Sequence, residues 1–271
     1  MRKKRWCIGG GVLLGLCVWA AWSGLTVNHV TVASDKIETP LRLALVTDLH
    51  STFYGDGQEK LLAALEKEQP QAILLAGDIA DDEVPHDGTE ALLAAIGEKY
   101  PCYYVSGNHE YWSGEFEEIE KMIASYGVTV LHGEGQWLEL AGESIWIAGV
   151  DDPDGFQREE QWTEQLETVM AQREEEAAEA FSILLSHRPE RTAQYGNSGF
   201  DLVTAGHAHG GQVRIPWIMN GLFAPNQGWF PQYAGGVYDL GETTMVVSRG
   251  LCRNALPRIW NPPEVVIIDI T

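Results

Sequence analysis

The stretch that decides the fold is residues 41–81, LRLALVTDLHSTFYGDGQEKLLAALEKEQPQAILLAGDIAD. Two apolar runs in it, 41–50 and 72–81, have the composition of buried strands, and each of them ends in polar residues. Between them, residues 57–70 repeat leucine at helical spacing and close at Pro70, which cannot continue a helix. A strand, a helix and a second strand in this order predict a βαβ unit, in which helices cover the outside of the sheet.

The same alternation continues along the chain and then changes character. A third apolar strand (102–112) lies between two further helices (88–100 and 115–127). A hairpin (137–152) and a charged helix (158–181) follow, and then two more apolar strands, SILLSHRP and DLVTAGHAH, which again end in polar residues. The remainder, which begins with QVRIP, is rich in strands. We therefore predict one α/β domain, a four-layer α/β/β/α sandwich of two mixed sheets flanked by helices, with an N-terminal transmembrane helix ahead of it.

The N-terminus differs in composition from the rest of the chain. After the basic MRKKR comes WCIGGGVLLGLCVWAAWSGL, about twenty residues without a charge, which is the length needed to cross a bilayer as a helix. Because basic residues stay on the cytoplasmic side, residues 1–26 are predicted to form a cytoplasmic basic tip and a transmembrane signal anchor. Residues 27–271 would then be the extracytoplasmic domain of a single-pass cell-membrane protein. The alternative is a cleaved signal peptide and a secreted form, because Ala21-Trp22-Ser23 offers a small-x-small cleavage site.

The charge and the cysteines of the chain disfavour two classes of function. The formal net charge is −21, and without the basic residues at positions 2–5 the remainder has 14 basic and 39 acidic residues, a net charge of −25. A phosphate backbone would be repelled by such a surface, so no nucleic-acid partner is expected. Cys102 and Cys252 are the only cysteines after the apolar segment, and we interpret them as small buried residues. Without a C-x-x-C pair, a zinc site made of thiolates is not expected.

Polar side chains with metal-binding chemistry follow the ends of the predicted strands. In open α/β sheets the carboxyl edge of the strands is where ligands bind. Carboxylates and imidazoles without thiolates favour metals of intermediate hardness, such as manganese, iron or zinc. The set exceeds one tetrahedral site and is large enough for two divalent ions that share a carboxylate. Its members are Asp48, His50, Asp78, Asn108, His109, His187, His207 and His209.

A centre with two metal ions predicts a reaction class. Two ions roughly 3.5–4 Å apart clamp the attacking and the leaving oxygens of an in-line phosphoryl displacement, and they lower the pKa of a bridging water toward about 7. Hydroxide is then available at neutral pH. The glycines that precede ligands, such as Gly107 and Gly206, fit the same need, because they let the backbone bend so that the next side chain points inward.

Five short blocks in a fixed order resemble a known family. DLH, GDIAD, GNHE, a lone histidine in SHRP, and GHAH are similar to the blocks of the calcineurin-like metallophosphoesterases, and the match covers roughly residues 41–271. The wider pattern, GHAHGGQ followed by SRGL and PPEVVIIDI, is similar to the bacterial membrane-anchored or exported branch of that family. Members of that branch hydrolyse phosphodiesters or phosphate-linked lipid intermediates, and they include a UDP-2,3-diacylglucosamine hydrolase type.

The resemblance implies a role for each member of the set. One metal ion would be held by Asp48, His50 and His209. The other would be held by Asn108, His187 and His207. Asp78 would bridge the two ions, and His109 would bind no metal but donate a proton to the leaving oxygen.

The function that the resemblance implies is hydrolysis of a phosphoester by metal-activated hydroxide. The substrate would be a phosphodiester or a phosphate-linked lipid or envelope intermediate. A non-catalytic metal-binding ectodomain is the first alternative, although such a scaffold would have no use for a proton donor at His109. A nuclease of the same superfamily is the second, and it conflicts with the acidic surface.

Several other residues have two interpretations. Asp81 either caps the next turn or supports a metal ligand, and Asp152 belongs either to a turn or to the substrate site. Arg249 and Arg253 would bind the phosphate or, as we favour, form salt bridges. The three remaining histidines are predicted to be surface residues: His29, His86 and His132. An aromatic group after the last ligand forms either an apolar lid for a lipid or part of the core, and it consists of Trp217, Phe223, Trp229, Phe230 and Tyr233.

Overall fold

The computed structural model describes residues 19–253 and 256–271. Most of the predicted membrane anchor, residues 1–26, therefore lies outside the described residues. Within the described part of the chain, none of the helices combines the length and the apolar composition that crossing a membrane requires.

Strands and helices alternate in the first half of the chain, as predicted. The described strands are β1 (Thr26–Val32), β2 (Leu41–Val46), β3 (Ala72–Ala76), β4 (Cys102–Val105), β5 (Thr129–Val130), β6 (Gly135–Leu140), β7 (Glu143–Gly149), β8 (Ser182–Leu185), β9 (Leu202–Ala205), β10 (Phe223–Ala224), β11 (Gly228–Trp229), β12 (Gly236–Asp239), β13 (Thr244–Val247) and β14 (Glu264–Ile270). The described helices are α1 (Glu59–Glu68), α2 (Asp87–Ile96), α3 (Asn108–Trp112), α4 (Phe116–Ser125), α5 (Glu159–Ala177) and α6 (Thr192–Tyr195).

Two predicted strands differ from the structure. The strand predicted over 102–112 ends at Val105, because the polar residues after it turn into the short helix α3. QVRIP forms no extended strand, and Val213 makes only an isolated bridge to Ile259. Cys102 and Cys252 are both buried, as predicted.

The strands form two six-stranded mixed sheets and one small hairpin among the described residues. The spatial order of the first sheet is β1-β14-β2-β3-β4-β5, in which β2 to β5 run parallel and β14 is antiparallel to β2. The second sheet has the order β12-β13-β9-β8-β7-β6, in which β13, β9, β8 and β7 run parallel. The hairpin pairs β10 with β11. The prediction of two mixed sheets is thus confirmed.

Three apolar layers hold the sheets and the helices together. Alternate residues of β2 belong to two of them: Leu43 and Leu45 pack between the two sheets, whereas Ala44 and Val46 pack against α1, α2 and α4. Helix α5 covers the outer face of the second sheet through residues such as Trp162. Because successive side chains of a strand point to opposite faces, an apolar strand of this kind must be buried on both sides. Helices therefore flank the pair of sheets.

A buried carboxylate after β7 joins three separate parts of the chain. Asp151 accepts hydrogen bonds from the hydroxyl of Ser106 (2.9 Å) and the amide of Gln165 in α5 (2.7 Å). The third partner is His132, whose Nδ1 lies 2.9 Å from Asp151 Oδ2. The hydrogen bond that His132 donates to Asp151 outweighs partial burial and raises the pKa of His132 to about 8. The side chain of His132 is 58% exposed, which agrees with the prediction of a surface residue, and it is paired with Asp151.

We expect the pair of His132 and Asp151 to stabilise the fold below about pH 8 and not in more alkaline solution. The pKa of His132 is raised in the folded protein from 6.5 to about 8, so the stabilisation is complete below about pH 6.5 and is lost as the pH rises through about 8. Because the imidazole is more than half exposed, His132→Gln should lower the free energy of unfolding at pH 6 by less than about 1 kcal/mol. Chemical unfolding at pH 6 and pH 9 measures this; a difference that persists at pH 9 would show that charge is not the cause.

Candidate metal centre

The predicted site residues lie together where the carboxyl ends of the two sheets meet. A hydrogen bond joins the sheets directly, because the backbone N–H of His207 after β9 donates to Asp48 Oδ1 after β2 at 2.8 Å. Parallel strands deliver their carboxyl ends to one edge, which is why ligands from distant parts of the chain converge. Asp48 and His50 follow β2, Asp78 follows β3, Asn108 and His109 follow β4, His187 follows β8, and His207 and His209 follow β9.

The first group of metal-binding atoms belongs to Asp48, His50, Asp78 and His209, and these atoms all lie within 4.8 Å of one another. His209 Nε2 lies 3.3 Å from Asp48 Oδ1 and 3.4 Å from His50 Nε2. His50 Nε2 lies 3.6 Å from Asp78 Oδ2. All four side chains are buried. Two carboxylates and two imidazoles at this spacing suit one divalent ion of intermediate hardness.

The second group contains Asp78 again, together with His187 and His207. His187 Nδ1 lies 2.9 Å from the carbonyl oxygen of Ala76 and donates to it, so Nε2 is left to face Asp78 Oδ2 at 3.0 Å. Asn108 begins α3 beside this group, and its side chain is 1% exposed. The carboxylate of Asp78 is therefore shared by the two groups, in the position that a bridging ligand requires.

Several polar atoms of these residues are buried and make no hydrogen bond within the protein. A buried polar atom without a partner costs about 1–3 kcal/mol, so an array of them points to a partner of another kind. Because His187 Nδ1 donates to a backbone carbonyl, Nε2 carries a lone pair once the ring is neutral, and this lone pair faces the Asp78 carboxylate, which is also an acceptor. Divalent cations between such acceptors would satisfy them, and the donor set fits two ions. The atoms are Asp48 Oδ2, Asp78 Oδ2, Asn108 Oδ1 and His187 Nε2.

Protons compete for the same atoms when no ion is bound. Burial lowers the pKa of His187, but the charge of Asp78 outweighs burial and raises this pKa to about 10. Burial and the neighbouring His187 hold the pKa of His207 well below its ordinary value. Metal ions bind deprotonated ligands, so binding at the second group displaces a proton from His187. Metal affinity should therefore fall as the pH is lowered.

Two glycines make room for the carboxylates. A Cβ at Gly107 would lie 2.2 Å from Asp78 Oδ1, and a Cβ at Gly206 would lie 2.4 Å from Asp48 Oδ2. Gly107 has an extended backbone, with φ of −112°. Close approach of a neighbouring ligand, rather than the backbone bend expected from the sequence, therefore explains why these two positions lack a side chain.

The left-handed turns belong to the ligands themselves. Five of them have φ between 46° and 64°, a conformation that costs a residue other than glycine about 1–2 kcal/mol. Strain of this kind persists only where the surrounding structure enforces it, and it is concentrated at functional sites. The five are Asp48, His50, Asp78, His207 and His209.

Asp81 both contacts a metal-ligand candidate and caps a turn, so both interpretations of this residue agree with the structure. Its Oδ2 lies 2.9 Å from His50 Nδ1, which orients the ring so that Nε2 faces the centre. Its Oδ1 accepts the backbone N–H groups of Glu83 and Val84. Support of a metal-binding histidine by a carboxylate fixes the tautomer and raises the basicity of the ligand nitrogen.

Glu110 is a structural brace to which the sequence analysis gave no role. Its carboxylate is fully buried and accepts four backbone N–H groups, those of Asp78 (3.1 Å), Ile79 (2.7 Å), Ala80 (3.0 Å) and Gly107 (2.9 Å). Burial and then the charge of Asp78 raise the pKa of Glu110 to about 7. The signal for it was present, because a glutamate at the third position of a helix can accept the backbone N–H of the N-cap residue, which is Gly107 here.

His109 is held by Asp82, another residue that the sequence analysis missed. Its Nδ1 lies 2.5 Å from Asp82 Oδ1, and its ring packs edge-on against His50 with 4.3 Å between centroids. The His109 side chain is 26% exposed, more than the side chains of the buried ligands. With Nδ1 engaged, Nε2 remains to meet a substrate. The second aspartate of the sequence ADD was the only sign of this role.

A buried arginine lies against the second group of ligands. The guanidinium of Arg188 pairs with Asp152, with 2.6 Å between Nη2 and Oδ1, and its Nη1 donates to Asn226 Oδ1 at 2.7 Å. The same Nη1 lies 3.3 Å from His207 Nε2. Asp152 also accepts the N–H of Asp154 and caps the next turn, so it contacts no open surface. The sequence analysis gave no role to Arg188 or Asn226. Arg188 could have been predicted because it directly follows the ligand candidate His187, whereas nothing in the sequence around Asn226 pointed to this site.

The two remaining arginines have different surroundings. Arg249 forms the expected salt bridge, with Glu264. Arg253 lies over the ring of Tyr54, 4.5 Å from its centroid, and lines a cleft of about 600 Å³ that also borders His50. Arg253 is exposed, so it is the one of the two that a substrate in this cleft could meet.

Comparison with known proteins agrees with this geometry. Residues 41–211 match the family model of the calcineurin-like phosphoesterases. An uncharacterized metallophosphoesterase of Campylobacter jejuni is 30% identical over 250 residues, and the match covers 90% of this chain and 63% of that protein. The chain thus spans less than two thirds of the length of this relative. The Escherichia coli phosphodiesterase YaeI is 26% identical, with 92% of this chain and 88% of YaeI covered.

A solved structure shares the fold at low sequence identity. The crystal structure of a 5'-nucleotidase precursor from Thermus thermophilus superposes with a TM-score of 0.53 and 14% identity. The match covers 86% of this chain and 54% of that chain. Identity at this level supports a common fold and nothing about the substrate.

We expect Asp78 to differ from the other ligands in what its loss does. Because Asp78 belongs to both groups, Asp78→Asn should empty both ion positions, whereas His187→Ala should empty mainly one. Metal content per chain, measured by atomic spectrometry after loading and dialysis, distinguishes the two variants. His29→Ala, which removes a histidine of β1 far along the chain from the centre, should retain the wild-type content. Equal losses in Asp78→Asn and His187→Ala would contradict the bridging position.

Proposed function

The chain belongs to the calcineurin-like phosphoesterase family, and on that premise we propose that it uses two divalent ions to hydrolyse a phosphodiester or a phosphate-linked lipid intermediate. Hydrolysis of phosphoesters is the reaction class of the family and of the relatives named metallophosphoesterase and phosphodiesterase. The observation that carries the two-ion proposal is the carboxylate of Asp78, which is shared by two groups of buried metal-binding atoms. Manganese, iron and zinc all suit this donor set.

The protein holds the candidate ligands and the residues that support them along the carboxyl edge of the two sheets. When bound, the two ions would supply positive charge for the phosphoryl oxygens and a water activated for attack at neutral pH. Asp81 orients His50, Glu110 fixes the loop that carries Asp78, and Arg188 places a permanent positive charge beside His207. Each contact reduces the reorganisation that the reaction would otherwise require.

His109 supplies the proton that the leaving group needs. Hydrolysis forms a bond from the water oxygen to phosphorus and breaks the bond from phosphorus to the leaving oxygen. Asp82 engages Nδ1 of His109, which fixes the ring and leaves Nε2 to carry the transferred proton. An alkoxide is a poor leaving group at neutral pH, so its protonation from Nε2 speeds the cleavage.

The surroundings of the centre favour a substrate with an apolar part. The cleft beside His50 is lined by apolar side chains and by Arg253, and acidic side chains also border it. The apolar residues are Phe53, Val84 and Pro85, and the acidic residues are Asp81, Glu83 and Asp87. A guanidinium and apolar side chains on one cleft suit a phosphate that carries a hydrophobic substituent. The phosphodiesterase named among the relatives supports a diester over a monoester.

The apolar N-terminal segment supports an anchor to the cell membrane, with the catalytic domain outside the cytoplasm. Residues 6–25 carry no charge, and the basic MRKKR precedes them. The last residues of the run contact the domain, because the carbonyl oxygen of Ala20 accepts the N–H of Trp260 and the rings of Trp19 and Trp260 lie 5.8 Å apart. An anchor at this point would keep the domain close to the membrane surface.

We expect His109→Ala to separate chemistry from metal binding. The variant should keep both ions and lose about 10²–10⁴-fold in turnover of a dialkyl phosphodiester, because it cannot protonate the alkoxide. Turnover of bis(p-nitrophenyl) phosphate should fall far less, since nitrophenolate leaves without a proton. The measurement is kcat on both substrates together with the metal content of the variant. Equal loss on both substrates, or loss of metal, would exclude the acid role.

Neighbouring aspartates provide a matched comparison for that prediction. Asp82→Asn should resemble His109→Ala in its dependence on the leaving group, because Asp82 contacts His109 and no metal-binding atom of the first group. Asp81→Asn should instead weaken the ion held by His50 and slow both substrates alike. If the two variants behave identically, the separate assignments of Asp81 and Asp82 are wrong.

The predicted orientation gives a test of localisation. In intact cells that express the full chain, an external protease should cleave the domain, because residues 27–271 are expected on the far side of the membrane from MRKKR. Digestion followed by immunoblotting of a C-terminal tag measures this, with a cytoplasmic protein as the control for cell integrity. A domain that stays intact until the cells are lysed would refute the orientation.

A further inference from the structure

The chain after the last metal ligand exposes large apolar side chains instead of packing them. Trp217 is 100% exposed and Ile218 is 81% exposed, at the tip of a tight loop. Phe223, Trp229 and Phe230 are also exposed, and the rings of Phe223 and Trp229 contact each other edge-on. We name these five residues the aromatic rim. Of the predicted aromatic group, then, all but Tyr233 lie outside the core, and a cluster of this kind marks an interaction surface.

The fold holds the aromatic rim in its exposed position. The hairpin of β10 and β11 carries Phe223 and Trp229 directly opposite each other on one face. Its other face is pinned to the domain, because Ala224 is buried against Ala208 and Ala234. Because the hairpin is fixed from below, its outer ring pair cannot turn inward to escape water.

The aromatic rim is built on the metal-ligand loop. The N–H of Leu222 donates to the carbonyl of Gly211, two residues after the ligand His209. At the turn of the hairpin, Asn226 Oδ1 lies 2.8 Å from Nε2 of the ligand His207. One hairpin therefore reaches the metal centre with its turn and presents Trp229 to the outside.

The uncharged N-terminal segment ends beside the base of the same rim. Trp260 contacts Trp19 and Ala20, which are the first residues of that segment that the structure describes. Its neighbour Ile259 pairs with Val213 and exchanges backbone hydrogen bonds with Gln212 and Arg214. The next residue after Arg214 begins the loop that exposes Trp217 and Ile218. A short series of backbone hydrogen bonds therefore connects the N-terminal segment to the base of the aromatic rim.

The charge of these segments differs from that of the rest of the chain. About one residue in seven of the protein is acidic, yet no Asp or Glu occurs from Leu202 to Tyr238 or from Thr243 to Pro263. Of the four arginines in these two stretches, Arg253 is exposed, Arg214 and Arg249 are partly exposed, and Arg258 is buried. A strongly acidic protein would be repelled by an anionic lipid surface, and these stretches carry no acidic residue that would add to that repulsion.

We propose that the aromatic rim inserts into the lipid bilayer beside the N-terminal segment and holds the metal centre over the membrane surface. Tryptophan and phenylalanine are the side chains that settle at the boundary between head groups and acyl chains. A substrate could then present its phosphoester to the centre while its acyl chains stay in the bilayer. The inference rests on the proposed phosphoesterase function for its substrate, an amphiphilic phosphodiester, but the contact with lipid stands independently.

Quenching of tryptophan fluorescence tests the contact. The full-length protein is reconstituted in vesicles of phosphatidylcholine and phosphatidylglycerol, with or without bromine atoms near the top of the acyl chains. The emission of the rim is the difference between the fluorescence of the wild-type protein and that of the double variant Trp217→Phe/Trp229→Phe. We expect brominated lipid to quench that emission by roughly half or more, because the rings would lie within about 5–10 Å of the head-group boundary.

Trp137→Phe is the matched control. Trp137 is 43% exposed on β6, the strand at the far edge of the second sheet from β12, and the emission that it contributes should not be quenched. Rim emission that is no more quenched than that of Trp137 would overturn the proposal, whether the rim is in water or covered by protein. The measurement involves no turnover, so an inactive protein with a quenched rim would refute the proposed reaction and leave the membrane contact intact.

Discussion

The arrangement of the site depends on two buried carboxylates, those of Asp48 and Asp78. They follow neighbouring parallel strands in which Val46 lies opposite Leu75, so the pairing of the sheet brings them to one point. Burial alone would raise the pKa of each, but His209 beside Asp48 and His187 beside Asp78 outweigh burial and hold both pKa values below their ordinary range. Two negative charges without water need positive partners, and with no ion bound the protonated ring of His187 is one of them. Divalent cations would take over this role and would also satisfy the lone pair of His187 that loss of the proton exposes.

That requirement explains the strain at the same edge. A ligand must leave its strand and turn back at once, and the left-handed backbone at five ligands does so within one residue. The carboxylates then come so near to neighbouring strands that a methyl group at Gly107 or Gly206 would overlap them. Glu110 offsets part of the cost by accepting four N–H groups from the loop that carries Asp78 and from Gly107. Stability is given up locally so that the ligands are oriented before any ion arrives.

The sequence predicted the parts of this design that depend on local pattern. Apolar strands ending in polar residues identified the edge of the sheets, and the five ordered blocks identified the family, which the comparisons confirm. Strand β1 was not predicted, because its parallel pairing with β14 joins opposite ends of the chain. Asp82 was missed for a similar reason, since its partner His109 lies 27 residues away and both belong to polar loops. Asn226 lies in a loop whose path is set by burial of Ala224 against Ala208, and no short-range pattern reports such a contact.

The loop after β9 differs from the other loops of the edge in that it serves two surfaces. His207 and His209 fix its start at the metal centre, and the pairing of Ile259 with Val213 fixes the point where it leaves the domain. Between Asn226, which reaches back to His207, and Trp229, which is exposed, there are only two residues. The outer face of this hairpin and the side chain that contacts a predicted ligand of the second group are therefore separated by only a few residues, because burial of Ala224 against Ala208 and Ala234 fixes the hairpin between them.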